Sequence, residues 1–269
     1  TTCAAQVALA KAPTARAAAV LLDQYHGALS DAIQTAEAAV LTADWVRAAE
    51  IIDGILEYRE LGLHLTAPWR VVITGAPNVG KSSLINAIAG FQRAIVSPLA
   101  GTTRDIVTLT TAIHGWPVQI ADTAGLRETQ DELESAGVKL ASTAVADADL
   151  VIVVSDASAG DGISREMVGR VSSAARVIHA VNKVDLVHGG GDAPARWKTQ
   201  FVSALTGQGI AELIAEIACA LVPAVPPVGA AVAFTAAQIA GLQSARHAIE
   251  RRDTTQTVSK LQSLLAHNT

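Results

Sequence analysis

Across the first 67 residues the apolar positions fall at helical spacing. Val20, Leu21, Tyr25, Leu29, Ile33, Ala36 and Val40 recur every three to four residues and so share one helical face. A second such pattern runs from about Asp44 to Leu61, with Asp44 placed to cap its N-terminus. No proline follows Pro13 in this stretch to break the pattern. Trp45 and Tyr58 are read as helix packing. From residue 68 the period changes. Short β-branched runs at Arg70–Thr74, Asp105–Ile113, Val118–Ala121, Leu150–Val154, Val177–Val181 and Gln200–Val202 alternate with helical stretches. Strand, helix, strand repetition predicts a six-stranded, largely parallel sheet covered on both faces. His114-Gly115 joins the second and third runs as a tight turn, which predicts an antiparallel hairpin at one side of the sheet.

Beyond residue 222, Pro223, Pro226 and Pro227 mark a linker. Thr235 to Arg251 and Thr257 to Ala266 then return to helical spacing. Each terminal block reads as a pair of helices with little core of its own. Packed against each other, blocks 1–67 and 223–269 would form one helical domain, with the α/β domain 68–222 inserted between them.

Composition agrees with this picture. Half of the 269 residues are hydrophobic and 17% are charged, which excludes an intrinsically disordered chain. Much of the apolar content is alanine, the best helix former. A net charge of −5 argues against a strongly basic nucleic-acid platform, and Arg251, Arg252 and Lys260 read as solvated helix charges. Cys3 and Cys219 are too far apart to suggest a disulfide framework or a metal cluster, and Cys219 reads as a small buried apolar residue beside Ile217, Ala218 and Leu221. No apolar run is long enough to span a bilayer, and Asp23 interrupts the run from Ala17 to Leu22, so a cytoplasmic chain without a membrane span is expected. The single methionine is Met167, so residue 1 is not an initiator, and a trimmed, processed or partial chain is expected.

The strongest chemical signal is Gly75-Ala76-Pro77-Asn78-Val79-Gly80-Lys81-Ser82, after a hydrophobic strand and at the start of a helix. That is the context of a phosphate-binding loop. Glycines let the backbone bend around phosphate oxygens, and successive N–H groups with the helix N-terminus point at the anion. Lys81 supplies a charge at the β- and γ-phosphates, and the Ser82 hydroxyl reaches Mg²⁺. Asp122-Thr123-Ala124-Gly125 ends a strand, where Asp122 can hold Mg²⁺ through water and the Gly125 N–H can sense the γ-phosphate. Asn182-Lys183-Val184-Asp185 ends another, and the Asp185 carboxylate can accept hydrogen bonds from guanine N1–H and N2–H₂, a donor pair that adenine lacks. Ser203-Ala204-Leu205 follows the last strand and can offer a backbone N–H to guanine O6. Each motif alone is short. Their order, each at the carboxyl end of a strand, is specific.

With these residues the chain resembles the translation-factor-related GTPases of the TrmE-Era-EngA group, and within them the MnmE (TrmE) tRNA-modification GTPases. The closer match is carried by residues 75–86, extending the nucleotide contacts to Ser83, by Gly101-Thr102-Thr103-Arg104-Asp105, by Asp122 to Glu128, and by the run from Asp131 to Val138. The resemblance implies a Ras-like P-loop GTPase domain inserted into a helical domain. Leu126 stands where Ras-like enzymes carry a water-orienting glutamine. MnmE-like proteins use K⁺ instead, which here implicates Asn78 as a K⁺ ligand and Glu134 as a catalytic acid alongside Asn78 and Lys81. The loop from Ser97 to Thr103, with Leu99 and Thr102 in it, would help to enclose K⁺, and Thr103 would join Ser82 on Mg²⁺. The resemblance also implies a G-domain homodimer formed with GTP and K⁺.

The chain departs from the family at both ends. About 67 residues precede the G domain, without the folate-binding domain, and the chain closes on Leu264 to Thr269 without the family's cysteine motif. Folate binding and wobble-uridine modification are therefore not carried over. Three readings follow: a GTP-hydrolysing switch enzyme derived from this family, whose partner need not be tRNA; a fragment of a tRNA-modification enzyme, with tRNA or a modification protein as partner; or a nucleotide-binding interaction module with little turnover.

Overall fold

In this computed structural model the residues described are 2–91, 108–122, 145–159, 169, 171, 176–187 and 197–266. The N-terminal block forms five helices: α1 (Thr2–Leu9), α2 (Ala15–Tyr25), α3 (Ala28–Leu41), α4 (Trp45–Glu57) and α5 (Arg59–Leu63). The expected pair is thus subdivided. Gly27, at φ 108°, breaks the continuous apolar face between α2 and α3, in a conformation that costs glycine little. Asp44 caps α4 as its sequence position suggests, accepting from Arg47 N at 3.0 Å.

The middle of the chain contributes β1 (Trp69–Gly75), α6 (Lys81–Phe91), β2 (Thr108–Ile113), β3 (Trp116–Asp122), β4 (Leu150–Asp156), β5 (Val177–Asn182), β6 (Lys198–Phe201) and α7 (Ile210–Leu221). Two C-terminal helices follow, α8 (Ala236–Glu250) and α9 (Thr254–Ala266). Thr235 and Gln238 close a capping box at the start of α8. α9 begins three residues earlier than the apolar pattern suggests, because Asp253 accepts from Gln256 N at 2.9 Å and caps it.

The chain divides into two compact units, one of Thr1–Pro68, Gly115–Pro117 and Ala224–Thr269, the other of Trp69–His114 and Val118–Pro223. In the helical unit α4 packs on α3 and α8, and α9 packs on α3 and α8. Leu21, Leu29, Ile33, Ile52, Ile55, Leu242 and Leu261 are buried there. Gln24, fully buried on α2, ties down the segment before α8: its Nε2 donates to Ala230 O at 2.9 Å and its Oε1 accepts from Val232 N at 3.1 Å. Arg246 of α8 reaches Asp53 of α4 at 2.8 Å.

The second unit holds the six-stranded sheet, ordered β2-β3-β1-β4-β5-β6. β1 runs parallel to β3 and β4, and β5 runs parallel to β4 and β6. β2 lies at the edge, joined to β3 by His114 and Gly115 at φ 48° and 84°, the paired positive dihedrals of a tight hairpin turn. β4 reads as an almost unbroken apolar run because both of its faces are covered. Val72, Val151 and Val153 pack with Val145, Ala148 and Val171, and α6 and α7 bury Leu84, Ile88, Leu213 and Ile217. Cys219 corrects the sequence reading. It is exposed, because on α7 it lies about 200° around the axis from Ile217 and away from the buried stripe. Among the described residues no helix is long and apolar enough to cross a membrane.

Candidate functional site

The parallel strands bring Gly75, Asp122, Asp156 and Asn182 to one edge of the sheet. β1 has β3 on one side and β4 on the other, so the chain leaves it where the strand order reverses. Open α/β sheets bind their ligands at that crevice. The loop from Gly75 to Lys81 turns through positive φ at Gly75 (154°), Asn78 (63°) and Gly80 (91°). Space as well as conformation demands the two glycines. A Cβ on Gly75 would lie 2.3 Å from Val154 O, and one on Gly80 would lie 2.4 Å from Asn182 Nδ2. Asn78 is one of the few residue types that visit the left-handed region. Val79 is buried behind the loop, while Ser82 and Ser83 are exposed in the first turn of α6.

The Lys81 ammonium lies across this loop and donates to Ala76 O at 2.8 Å and to Gly75 O at 3.3 Å. Ser82 Oγ donates to Asp122 Oδ2 at 2.9 Å. Asp122 is brought there by β3, which pairs it with Ile73 in β1, and it is only 2% exposed. A hydroxyl and a carboxylate so placed are the hard oxygen donors that Mg²⁺ prefers, so the described residues fit that ion.

Three of the sequence motifs meet at Asn182. Its Nδ2 donates to Val79 O at 2.8 Å, and its Oδ1 accepts from Ala204 N at 3.0 Å. One buried amide thus spaces the phosphate loop against the turn after β6. That turn is closed by Ser203 N donating to Gln208 O and Gly207 N donating to Ser203 O, each at 2.9 Å. Ser203 is buried and Leu205 is exposed. Asp185 stands exposed on a short 3-10 turn, Val184–Leu186, directly after β5.

Lys183, at φ 66°, reaches back from the end of β5. Its Nζ donates to Asn78 O at 2.8 Å and to Asp156 Oδ2 at 2.6 Å. Asp156 Oδ1 accepts from Ser158 N at 2.8 Å and from Ser158 Oγ at 2.6 Å. Burial pushes the Asp156 carboxyl up, but the hydrogen bonds from Lys183 and Ser158 and the Lys183 charge outweigh it and hold the group below its ordinary range. Sequence reasoning missed Asp156. Its signal is present: an acid closes the apolar run of β4 at the edge where the recognised motifs stand.

Directly under this edge His179 is fully buried in β5, and its Nε2 shares a hydrogen bond with Ser155 Oγ at 2.7 Å. Burial lowers its pKa from 6.5 to about 4. It packs inside the sheet. Gly125, Ser97, Leu99, Thr102, Thr103 and Glu134 lie outside the described residues, as do Arg104 and Leu126.

Residues 70–183, which run from β1 to Lys183, match the family described as 50S ribosome-binding GTPase. The tRNA modification GTPase MnmE of Ralstonia nicotianae is 40% identical over 193 residues, covering 67% of this chain and 40% of that protein. MnmE of Koribacter versatilis is 47% identical over 153 residues, covering 55% of this chain and 33% of that protein. The chain carries an MnmE-like GTPase domain. It spans about 40% of the length of the first of these relatives. A solved structure of Era in complex with MgGDPNP and a segment of 16S ribosomal RNA is 27% identical, with a TM-score of 0.45, over 67% of this chain and 66% of that one. Within the MnmE-like domain the family match takes in the loop 75–82, Asp122 and Asn182-Lys183, three of the elements joined by hydrogen bonds at the sheet edge.

Proposed function

We propose that the chain binds GTP and GDP at the carboxyl edge of its sheet and hydrolyses GTP with Mg²⁺, in turnover stimulated by K⁺ through the pairing of two G domains. The observation that carries this reading is the convergence of Lys81, Ser82 with Asp122, and Asn182 with Val79 and Ala204 on one crevice. Phosphate oxygens would replace the Gly75 and Ala76 carbonyls as partners of the Lys81 ammonium. The loop N–H groups and the start of α6 would take the remaining phosphate charge. Ser82 and Asp122, with Thr103, would hold Mg²⁺, which would offset phosphate charge there. Asp185 would accept from guanine, and the turn at Ser203 to Leu205, tied to the end of β5 by the bond from Ala204 N to Asn182 Oδ1, would offer a backbone N–H to guanine O6. Water then attacks the γ-phosphorus, the bond to the β–γ bridging oxygen breaks, and GDP and phosphate leave. K⁺ would supply positive charge against the charge that develops in that step, and Asn78 would be its ligand among the described residues. Glu134, Ser97, Leu99 and Thr102 complete the proposal. We read residues 68–222 as the G domain inserted between helical segments 1–67 and 223–269.

The names of the relatives supply a second reading, a part in tRNA modification. Its support is their sequence identity over the G domain, so it extends to this chain only as a guanine-nucleotide switch serving that process.

The test is steady-state GTP hydrolysis in matched KCl and NaCl buffers, with the oligomeric state recorded in each. Several-fold faster turnover in KCl, with dimers that require nucleotide, is expected. Equal rates from a monomer throughout would leave a nucleotide-binding module and overturn the K⁺ mechanism. Equal use of ATP would overturn the base assignment.

A further inference from the structure

The motifs recognised in the sequence leave a partly buried ion pair unexplained. Asp156 and Lys183 are separated by 27 residues and meet at the end of β4 and β5, where their side chains are 14% and 32% exposed. The β4–β5 register places Asp156 opposite Asn182, the residue before Lys183. Ala157 N donates to Asn182 O at 2.8 Å just beyond it. Both carboxylate oxygens of Asp156 are used, one by Lys183 and the other by Ser158 twice. A carboxylate held at both oxygens has one orientation, and so has the ammonium it grips. The second partner of that ammonium is the main-chain carbonyl of Asn78, in the middle of the phosphate loop. Asn78 holds the left-handed conformation that the loop requires, and a fixed partner on its carbonyl helps to keep the backbone there.

We propose that Asp156 is a positioning residue for nucleotide binding: through Lys183 it locks the backbone of Asn78 and so couples the base-reading end of β5 to the phosphate loop. The role rests on the nucleotide-binding function proposed above. Asp156 does not touch the nucleotide and acts only through the ammonium. Its loss should therefore loosen both ends of the site together and shorten nucleotide residence. It should leave the choice of base to Asp185.

The experiment measures the dissociation of ribose-labelled fluorescent GDP from the full chain, for wild type, Asp156→Asn, Lys183→Met and the double variant. Asp156→Asn keeps the shape of the side chain and removes its charge. GDP should leave it about tenfold faster than wild type, near the middle of the range for residues coupled in one network. The same change in the Lys183→Met background should add no more than about twofold, because the partner is already gone. GTP-over-ATP preference should stay within about twofold of wild type, which a general loosening of the fold would not preserve. Ser158→Ala, which removes one of the anchors on Asp156, should accelerate release by about twofold and gives an independent reading if Asp156→Asn folds poorly. Unchanged release from both Asp156→Asn and Ser158→Ala, or equal acceleration with and without Lys183, overturns the role of Asp156 while nucleotide binding stands. A wild-type chain that does not bind GDP overturns the functional reading itself.

Discussion

His179 makes the stability of the sheet beneath the site depend on pH, in a direction that can be worked out. The imidazole is fully buried, its Nε2 is shared with Ser155 Oγ, and its Nδ1 has no hydrogen-bond partner among the described residues. A proton added in the folded state would therefore charge a buried group, and burial lowers its pKa from 6.5 to about 4. At about 1.36 kcal/mol per pH unit that difference amounts to about 3 kcal/mol. The unfolded chain takes up the proton first as pH falls. The contribution of a neutral His179 is thus complete above pH 6.5, declines as pH drops toward 4, and is gone below it. The assay is urea unfolding at intervals from pH 7 to pH 4, for wild type and for His179→Gln, which keeps a polar partner for Ser155 and does not titrate. Carboxylates titrate in both proteins, so the difference between the two curves isolates His179. Wild type should lose about 3 kcal/mol more than the variant across this range. Parallel curves would refute the argument, as would an imidazole resonance that titrates with a midpoint near 6.5.

Other expectations are tied to the site. Gly80→Ala places a methyl 2.4 Å from Asn182 Nδ2 at a φ of 91°, and GDP affinity should fall by tenfold or more; titration showing unchanged affinity would mean that the loop relaxes freely. Asp185→Asn puts a mismatched amide where the proposed base contact lies, and GTP-over-ATP preference in competition binding should fall by tenfold or more; an unchanged preference would remove Asp185 from base reading. Asn78→Ala should abolish K⁺ stimulation of turnover while GDP binding stays within about threefold, and equal stimulation in the variant would remove Asn78 from the K⁺ site.

Much of this site was legible because its chemistry is local in the chain. A phosphate loop needs consecutive backbone N–H groups, so residues 75–82 must be contiguous, and they announce themselves as a glycine-rich turn between an apolar strand and a helix. Asp122 and Asn182 could be placed for a similar reason: each closes a β-branched run, and parallel strands end at one edge. The helix breaks were less legible. The apolar period runs through Gly27 without a fault, and only its φ of 108° shows that α2 and α3 are separate. Cys219 was misread because its apolar neighbours in sequence occupy a different side of α7.

The sequence by itself determined the elements, the order of the motifs and the kind of anion that they suit, because these depend on periodicity and on residues next to one another. Tertiary structure alone decided the pairings. Strand register sets Asp156 opposite Asn182 and within reach of Lys183, and it brings Ser155 to His179 in the interior of the sheet. Folding also sets Asn182 between Val79 and Ala204, so that one amide spaces two loops more than a hundred residues apart in the chain. No local pattern encodes such contacts. They exist because five parallel strands, the inner four of them largely buried in a shared core, bring their polar carboxyl ends to one edge.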